Sequence, residues 1–264
     1  MTTEDMLLEE RHGRVALLTM NRPKARNSLS LAMLAELHGA ITRLGKDDAI
    51  KAIVLAGNGP AFCAGHDLKE MTAARAASDG GQAFFTETMT ACSAMMQAVV
   101  NCPKPVVAAL EGIATAAGCQ LVASCDLAVA GDGAQMATPG VNIGLFCSTP
   151  MVAVSRNIPR KRVMEMLLTG EMITAQTAAE WGLVNRVVTQ GQAVATALEL
   201  AQSIAAKSAA TLRIGIEAFY KQLDMPLDEA YEYTAQVMVM NMMEPDAEEG
   251  ITAFIEKRPA VWQG

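Results

Sequence analysis

The sequence predicts an α/β protein: a largely parallel sheet wrapped by helices and followed by a helical tail. Three observations predict this. Short apolar runs alternate with helical patterns as far as residue 190, and such alternation implies right-handed crossovers between parallel strands. The apolar runs are nearly continuous rather than alternating, as strands buried on both faces require. Beyond residue 190 the strand signal stops, and Pro226 and Pro245 punctuate a purely helical pattern. The expected division is therefore a core over residues 1–190 and a helical oligomerisation region over residues 191–264.

In chain order, VALLTM (15–20) and IKAIVLAG (50–57) read as buried strands. Between them, SLAMLAELHGAITRL (30–44) places Leu31, Leu34, Leu37, Ile41 and Leu44 on one helical face, with Ser30 as N-cap. His38 falls on that face and reads as a core histidine. PVVAALEG (105–112) and DLAVAG (126–131) are further strands, separated by a helix of small residues in TAAGCQLVAS; LVNRVV (183–188) is one more. Asp126, at a strand start, reads as structural.

Composition narrows the function classes. Of 264 residues, 51% are hydrophobic and 19% charged, which is globular rather than disordered. Only 4% are aromatic while methionine numbers 18, so aliphatic and thioether side chains are expected to fill the core. A net charge of -7 argues against a nucleic-acid surface. Six cysteines, with no Cys-x-x-Cys pair and only three histidines, exclude an ordinary zinc site and favour reduced buried thiols. No apolar h-region opens the chain and no run is long enough to span a membrane, so a cytoplasmic, bacterial protein is the expectation.

Two segments carry candidate chemistry. In NGPAFCAGHDLKEM (58–71) a strand ends at Ala56, a Gly/Pro loop follows, and a helix capped by Asp67 begins. Backbone N–H groups at such a turn are free to face an anion. In LEGIATAAGCQLVASCD (110–126) Ala114, Ala116, Ala117 and Gly118 permit close backbone approach, and the helix starting there aims its positive end at the same space. Taken singly, each segment reads more readily as ordinary turn or packing structure.

Together they resemble the crotonase (enoyl-CoA hydratase/isomerase) superfamily. The resemblance runs through MNRPKARNSLS, AFCAGHDLKEM, PKPVVAALEG, AAGCQLVASCDLAVA, ATPGVNIG, LTGEMITAQTAAEWGLVNRVV and GITAFIEKRPAVW in order. ATAAGCQLVASCD and ATPGVNIGLFCSTP are most similar to the branch of enoyl-CoA hydratase domain-containing proteins. The resemblance implies a spiral of ββα units with a C-terminal helical trimerisation region, forming a homotrimer or dimer of trimers. It implies an acyl-CoA thioester as partner, with no cofactor beyond the CoA moiety, no metal, no nucleic acid and no membrane. The N–H groups of His66 and Ala117 would form an oxyanion hole. Ala64, His66, Asp67, Leu68 and Lys69 would hold the CoA, and Lys24, with Arg22 or Arg26, its phosphates. Phe254 and Lys257 would reach the CoA of a neighbouring subunit.

The chain departs from the family's hydratases at both catalytic carboxylates. Gln120 and Gly140 stand where those enzymes carry glutamates, and Gly133 to Met164 contains no Asp or Glu. Glutamine takes up no proton at working pH and glycine offers no side chain, so hydration is expected to be weak or absent. Ser148 aligns with an aspartate used by other family members, and Cys147 would need a base to act as a nucleophile; a packed thiol is the simpler expectation. Three functions stay open at this point: an enzyme stabilising a thioester enolate, for example a decarboxylase of a malonyl-type ester; a non-catalytic acyl-CoA binder; and an interaction protein.

Overall fold

A computed structural model describes residues 5–263. The chain runs β1 (Leu7–His12), β2 (Val15–Met20), α1 (Leu31–Lys46), β3 (Ala52–Gly57), β4 (Ala61–Cys63), α2 (Leu68–Ala74), α3 (Gln82–Val100), β5 (Val106–Leu110), β6 (Ile113–Thr115), α4 (Ala117–Ser124), β7 (Leu127–Gly131) and β8 (Gln135–Ala137). It continues through α5 (Pro150–Val154), α6 (Arg160–Thr169), β9 (Ile173–Thr174), α7 (Ala175–Trp181), β10 (Arg186–Val188), α8 (Ala193–Ala205), α9 (Ala209–Gln222), α10 (Leu227–Met242) and α11 (Pro245–Glu256).

The strands form two sheets. One has the order β1-β2-β3-β5-β7-β10 and the other β4-β6-β8-β9. Only the β1–β2 and β8–β9 pairs are antiparallel. Each of β3, β5 and β7 in the large sheet is followed directly by β4, β6 or β8 in the small one, so the chain climbs as a spiral of paired strands and helices. The sequence reading found the large sheet except for the antiparallel β1 and missed the small sheet entirely. Strands β4, β6 and β8 are 3 residues each, too short to show a period of two.

The inner strands β2, β3, β5 and β7 of the large sheet are apolar on both faces because both are covered. Leu18, Met20, Ile53 and Leu55 point into the main core with Met33, Leu37, Met95 and Leu121. Val15, Leu17, Val54, Val107 and Val129 face Ala193, Ala197, Ala201 and Ala205 of α8. An alanine at every fourth position lets that helix lie close on the strands. Helix α1 begins as expected, with the Ser30 hydroxyl accepting a hydrogen bond from Met33 N at 3.2 Å. Its Leu34, Leu37, Ile41 and Leu44 are each at most 1% exposed, a burial contributing about 1.5–3 kcal/mol per side chain. His38 is a correction: it lies on the exposed side of α1, since the buried stripe passes through 37 and 41 and the next position turns outward.

Methionine use also differs from expectation. Met20, Met33, Met95, Met96, Met136 and Met166 are buried, but Met151, Met164, Met172, Met238, Met240, Met242 and Met243 are exposed. Four of those exposed residues crowd the end of α10. Helix α9 is fastened to the core where the Tyr220 hydroxyl donates to Asp126 Oδ1 at 2.7 Å, while Asp126 Oδ2 accepts from Val106 N at 2.7 Å. Asp126 is thus structural, as read. No helix among the described residues is long and apolar enough to cross a membrane, and all six cysteines are free and buried.

Candidate functional site

The site lies where the loops after β4 and β6 meet. The loop after β4 is fixed from one side by the segment 22–30: Ala64 N donates to Arg26 O at 3.0 Å, Leu29 N to Gly65 O at 2.8 Å and Asp67 N to Leu29 O at 3.2 Å. His66 N is skipped by this ladder and keeps an unpaired N–H among the described residues. From the other side, the Thr115 hydroxyl donates to Ala64 O at 3.1 Å. Gly65 has φ +90, and a Cβ built there would lie 3.0 Å from Ala116 Cβ and 3.4 Å from Ala117 N. Only glycine permits both that φ and that contact, so the two loops meet at backbone distance.

Ala116 holds the second loop in an unusual conformation, φ 50 and ψ −117, immediately before α4. An L-residue there is strained by ~1–3 kcal/mol. Its N–H is taken by Ala137 O at 2.9 Å, and no side chain caps the helix. Among the described residues the Ala117 N–H opens α4 unpaired, on the positive end of the helix. Two donors unpaired among the described residues, His66 N and Ala117 N, thus stand on adjoining loops, and backbone N–H groups at such positions are of the kind that bind anions.

Asp67 carries this loop. Its carboxylate accepts from Arg22 Nη2, from the Ser28 hydroxyl and from Lys69 N, each at 3.1 Å. Burial works against its ionisation, but these bonds outweigh it and hold the carboxyl below the usual aspartate range. Arg22 also donates to Ser28 O at 2.9 Å. Of the three basic residues in this turn, Arg22 is turned inward and is structural. Lys24 and Arg26 are exposed, their side chains without a hydrogen bond or ion pair among the described residues, and the Arg26 backbone bonds the Ala64–Lys69 turn at Ala64. Leu68 and Lys69 are exposed at the start of α2. Helix α11 instead packs on α9 and α10, with Phe254 86% exposed, and no hydrogen bond or ion pair joins Phe254 or Lys257 to the other candidate residues of the same chain.

Sequence reasoning missed Asn27. Its φ is 52, a left-handed position that asparagine tolerates. Its Oδ1 accepts from Arg22 N at 2.8 Å, and its Nδ2 donates to Asn58 O at 2.9 Å and Ala61 O at 2.8 Å. Asn27 thereby ties the basic turn to the entry of β4. The signal was an asparagine following three basic residues, and nothing in spacing alone marked it.

At the two altered positions the structure is specific. Gln120, one turn into α4, is 5% exposed, and its buried Oε1 has no hydrogen-bond partner. Gly140 lies in the 3-10 turn Pro139–Ile143. A Cβ built on it would lie 2.7 Å from Leu145 O and 3.0 Å from Cys147 Sγ. The room for a side chain at 140 is closed. Cys147 is 7% exposed, and burial pushes its thiol up, against thiolate formation, though the Gly140 backbone offsets part of this. Its sulfur lies against the space a side chain at 140 would need. Ser148 is exposed, with its hydroxyl donating to Phe146 O at 3.4 Å. The His66 ring nitrogens are buried without partners, and burial holds the imidazole below the usual histidine range while the Leu29 carbonyl pulls the other way. Neither position 120 nor position 140 carries a carboxylate, and the one carboxylate of the loop after β4, Asp67, is engaged by Arg22, Ser28 and Lys69.

A family model described as enoyl-CoA hydratase/isomerase matches residues 10–264, and the chain belongs to that family. Its fold is the crotonase fold. Among curated proteins it is similar to enoyl-CoA hydratase domain-containing protein 3, mitochondrial, of Rattus norvegicus, 47% identical over 93% of this chain and 80% of that protein. The Homo sapiens protein of the same name is 46% identical over 93% of this chain and 79% of that one. Among solved structures, an enoyl-CoA hydratase from Mycobacterium smegmatis matches with TM-score 0.94 and 47% identity, covering 99% of this chain and 100% of that one. The human enoyl coenzyme A hydratase domain-containing protein 3 matches with TM-score 0.93 and 44% identity, covering 98% and 100%.

Proposed function

We propose that the protein binds an acyl-CoA thioester, holds its carbonyl oxygen between His66 N and Ala117 N, and stabilises the enolate without acting as an efficient hydratase. The observation that supports this is the meeting of two loops that carry unpaired N–H groups at His66 and Ala117, with Gln120 standing in place of one carboxylate and Leu145 O with Cys147 Sγ closing the place of the other. Donors aimed at a thioester oxygen stabilise the enolate more than the neutral carbonyl. Lys24 and Arg26, unpaired beside the 64–69 turn, suit the CoA phosphates.

A homotrimer or dimer of trimers goes with this reading. It is supported by the exposed apolar side chains of the tail, among them Leu227, Tyr231, Met243, Phe254 and Ile255, each more than 70% exposed in the single chain. The six free thiols suit a reducing compartment such as the cytoplasm; the vertebrate relatives are named as mitochondrial proteins.

The test is a melting curve with butyryl-CoA, followed by hydration of crotonyl-CoA and deuterium exchange at the acyl α-carbon. Ligand at about 100 Kd should stabilise the protein by ~2.7 kcal/mol, while hydration stays orders of magnitude below an ordinary turnover of ~10 s⁻¹. Exchange without hydration is the expected signature. Rapid hydration would show an acid and base elsewhere, and no melting shift with any CoA ester would remove the binding assignment.

A further inference from the structure

We infer that His66 serves the site twice: its backbone N–H holds the thioester oxygen, and its imidazole takes the proton from the acyl α-carbon. This rests on the acyl-CoA reading above and supplies the base that exchange at that carbon requires.

Removal of an α-proton needs an acceptor, and the site offers few. Positions 120 and 140 carry glutamine and glycine. Asp67 is engaged by Arg22, Ser28 and Lys69, and Glu70 of α2 accepts from Leu31 N at 3.2 Å. Burial pushes the thiols of Cys63 and Cys119 up to about 12 and that of Cys92 up to about 11, and it raises Cys147 as well, so none supplies a thiolate. Arg26, Lys69 and Glu87 of α3 are exposed. Of the histidines, His12 ends β1 and His38 lies on the exposed side of α1. His66 is left.

The backbone directs its ring. His66 pairs with Leu29 in a parallel bridge, and the side chains of paired residues lie on the same face. Leu29 is 0% exposed and belongs to the main core, so the imidazole points inward. Asp67, the next residue, points the other way, to Arg22 and Ser28. Both ring nitrogens of His66 are buried without a hydrogen-bond partner among the described residues. Buried polar atoms are nearly always satisfied, so two orphans on one ring mark a place where a bound molecule supplies the partner. The ring and the N–H belong to one residue, and covalent geometry keeps the ring nitrogens within about 5–6 Å of that donor. An oxygen bound there carries its α-carbon, two bonds away, into the same neighbourhood.

The ring has the electronics of a base. Burial favours the neutral imidazole, which has a free lone pair, while the Leu29 carbonyl favours the charged ring and so supports it once the proton has arrived. The step balances. The α-carbon's C–H bond breaks, the proton passes to a ring nitrogen, and the electron pair forms the enolate double bond, leaving the charge on the oxygen between His66 N and Ala117 N. In heavy water the ring proton exchanges for a deuteron, and the reverse step delivers it to the carbon.

The experiment follows deuterium incorporation into butyryl-CoA by mass spectrometry, with the full-length protein at subsaturating ester, across the histidine range. The wild-type rate should rise about tenfold per pH unit up to the NMR midpoint of the His66 ring and level off above it, because this rate reports the base of the free protein. His66→Ala, which keeps the backbone N–H, should lose roughly 10²–10⁴-fold. A rate flat through the His66 midpoint would overturn the inference and assign the ring nitrogens to a buried water. That profile stands whether or not the variant folds. A folded His66→Ala within about threefold of the wild type would also overturn it. So would a wild type that shifts its melting curve with butyryl-CoA yet exchanges nothing, and binding would then survive alone. No melting shift with any CoA ester is a different failure, because it removes the acyl-CoA reading itself.

Discussion

Putting a side chain back at position 140 should damage this protein rather than restore a hydratase. A Cβ there would lie 2.7 Å from Leu145 O, 3.3 Å from Leu145 C and 3.0 Å from Cys147 Sγ. The nearest obstacle is backbone, and it is held, since Leu145 N donates to Gly140 O at 2.9 Å. Relief requires the 140–147 turn to move by several tenths of an ångström against its own hydrogen bond. Overpacking of this kind costs ~1–3 kcal/mol, or a fall in melting temperature of about 2–4 °C for each kcal/mol in a chain somewhat smaller than this one. Gly140→Ala, measured by scanning calorimetry, isolates the Cβ contact; Gly140→Glu adds the carboxylate. The double variant with Cys147→Ala removes the sulfur contact and leaves the Leu145 contact, so it should recover only part of the loss, and the coupling between the two changes measures the sulfur's share. Gly140→Glu combined with Gln120→Glu should hydrate crotonyl-CoA no better than a family enzyme lacking a carboxylate. If Gly140→Glu melts with the wild type and the combined variant gains ordinary hydratase turnover, the turn yields freely and the closed-site reasoning fails.

Two further outcomes follow from the loop after β4. Asp67→Ala removes three hydrogen bonds and takes from the half-buried Arg22 its ion pair, leaving it only the Ser28 carbonyl, so urea unfolding should show a loss of ~2–4 kcal/mol; a change within ~0.5 kcal/mol would mean the network contributes little. Because the folded-state Asp67 carboxyl lies below its unfolded value of ~3.9, its contribution is present above that pH and is lost as the pH falls through the lower folded value. His66 titrates in the same sense. Burial depresses its folded value below ~6.5, so stability is full above pH ~6.5 and declines as pH falls below it, when the unfolded imidazole gains a proton the folded one resists. The His66 ring resonances should show an NMR midpoint below ~6.5; a midpoint at or above that value would contradict the burial argument.

The resemblance block by block carried the site further than periodicity did. The two N–H donors were placed from the AFCAGHD and ATAAGCQ strings, and the structure brings their loops to backbone distance through Gly65 and Ala116. The basic turn was read as a group, whereas its members divide: Arg22 faces inward to Asp67 and Ser28, and Lys24 and Arg26 face out. Direction of that kind depends on the left-handed pair Arg26 and Asn27, φ 51 and 52, which no side-chain pattern announces.

The sequence by itself determined what is written in local pattern. Strands buried on both faces appear as unbroken apolar runs, α1 shows its stripe and its Ser30 cap, and the absence of an acid at 120 and 140 follows from reading two residues. Tertiary structure decided what depends on approach between distant segments. The small sheet, of strands no longer than 3 residues, exists only through its pairing partners. Closure of the space at Gly140 by Leu145 and Cys147, and the lack of a partner for Gln120, belong to the same kind. Both concern what lies within a few ångströms in space, a distance that residue order does not encode.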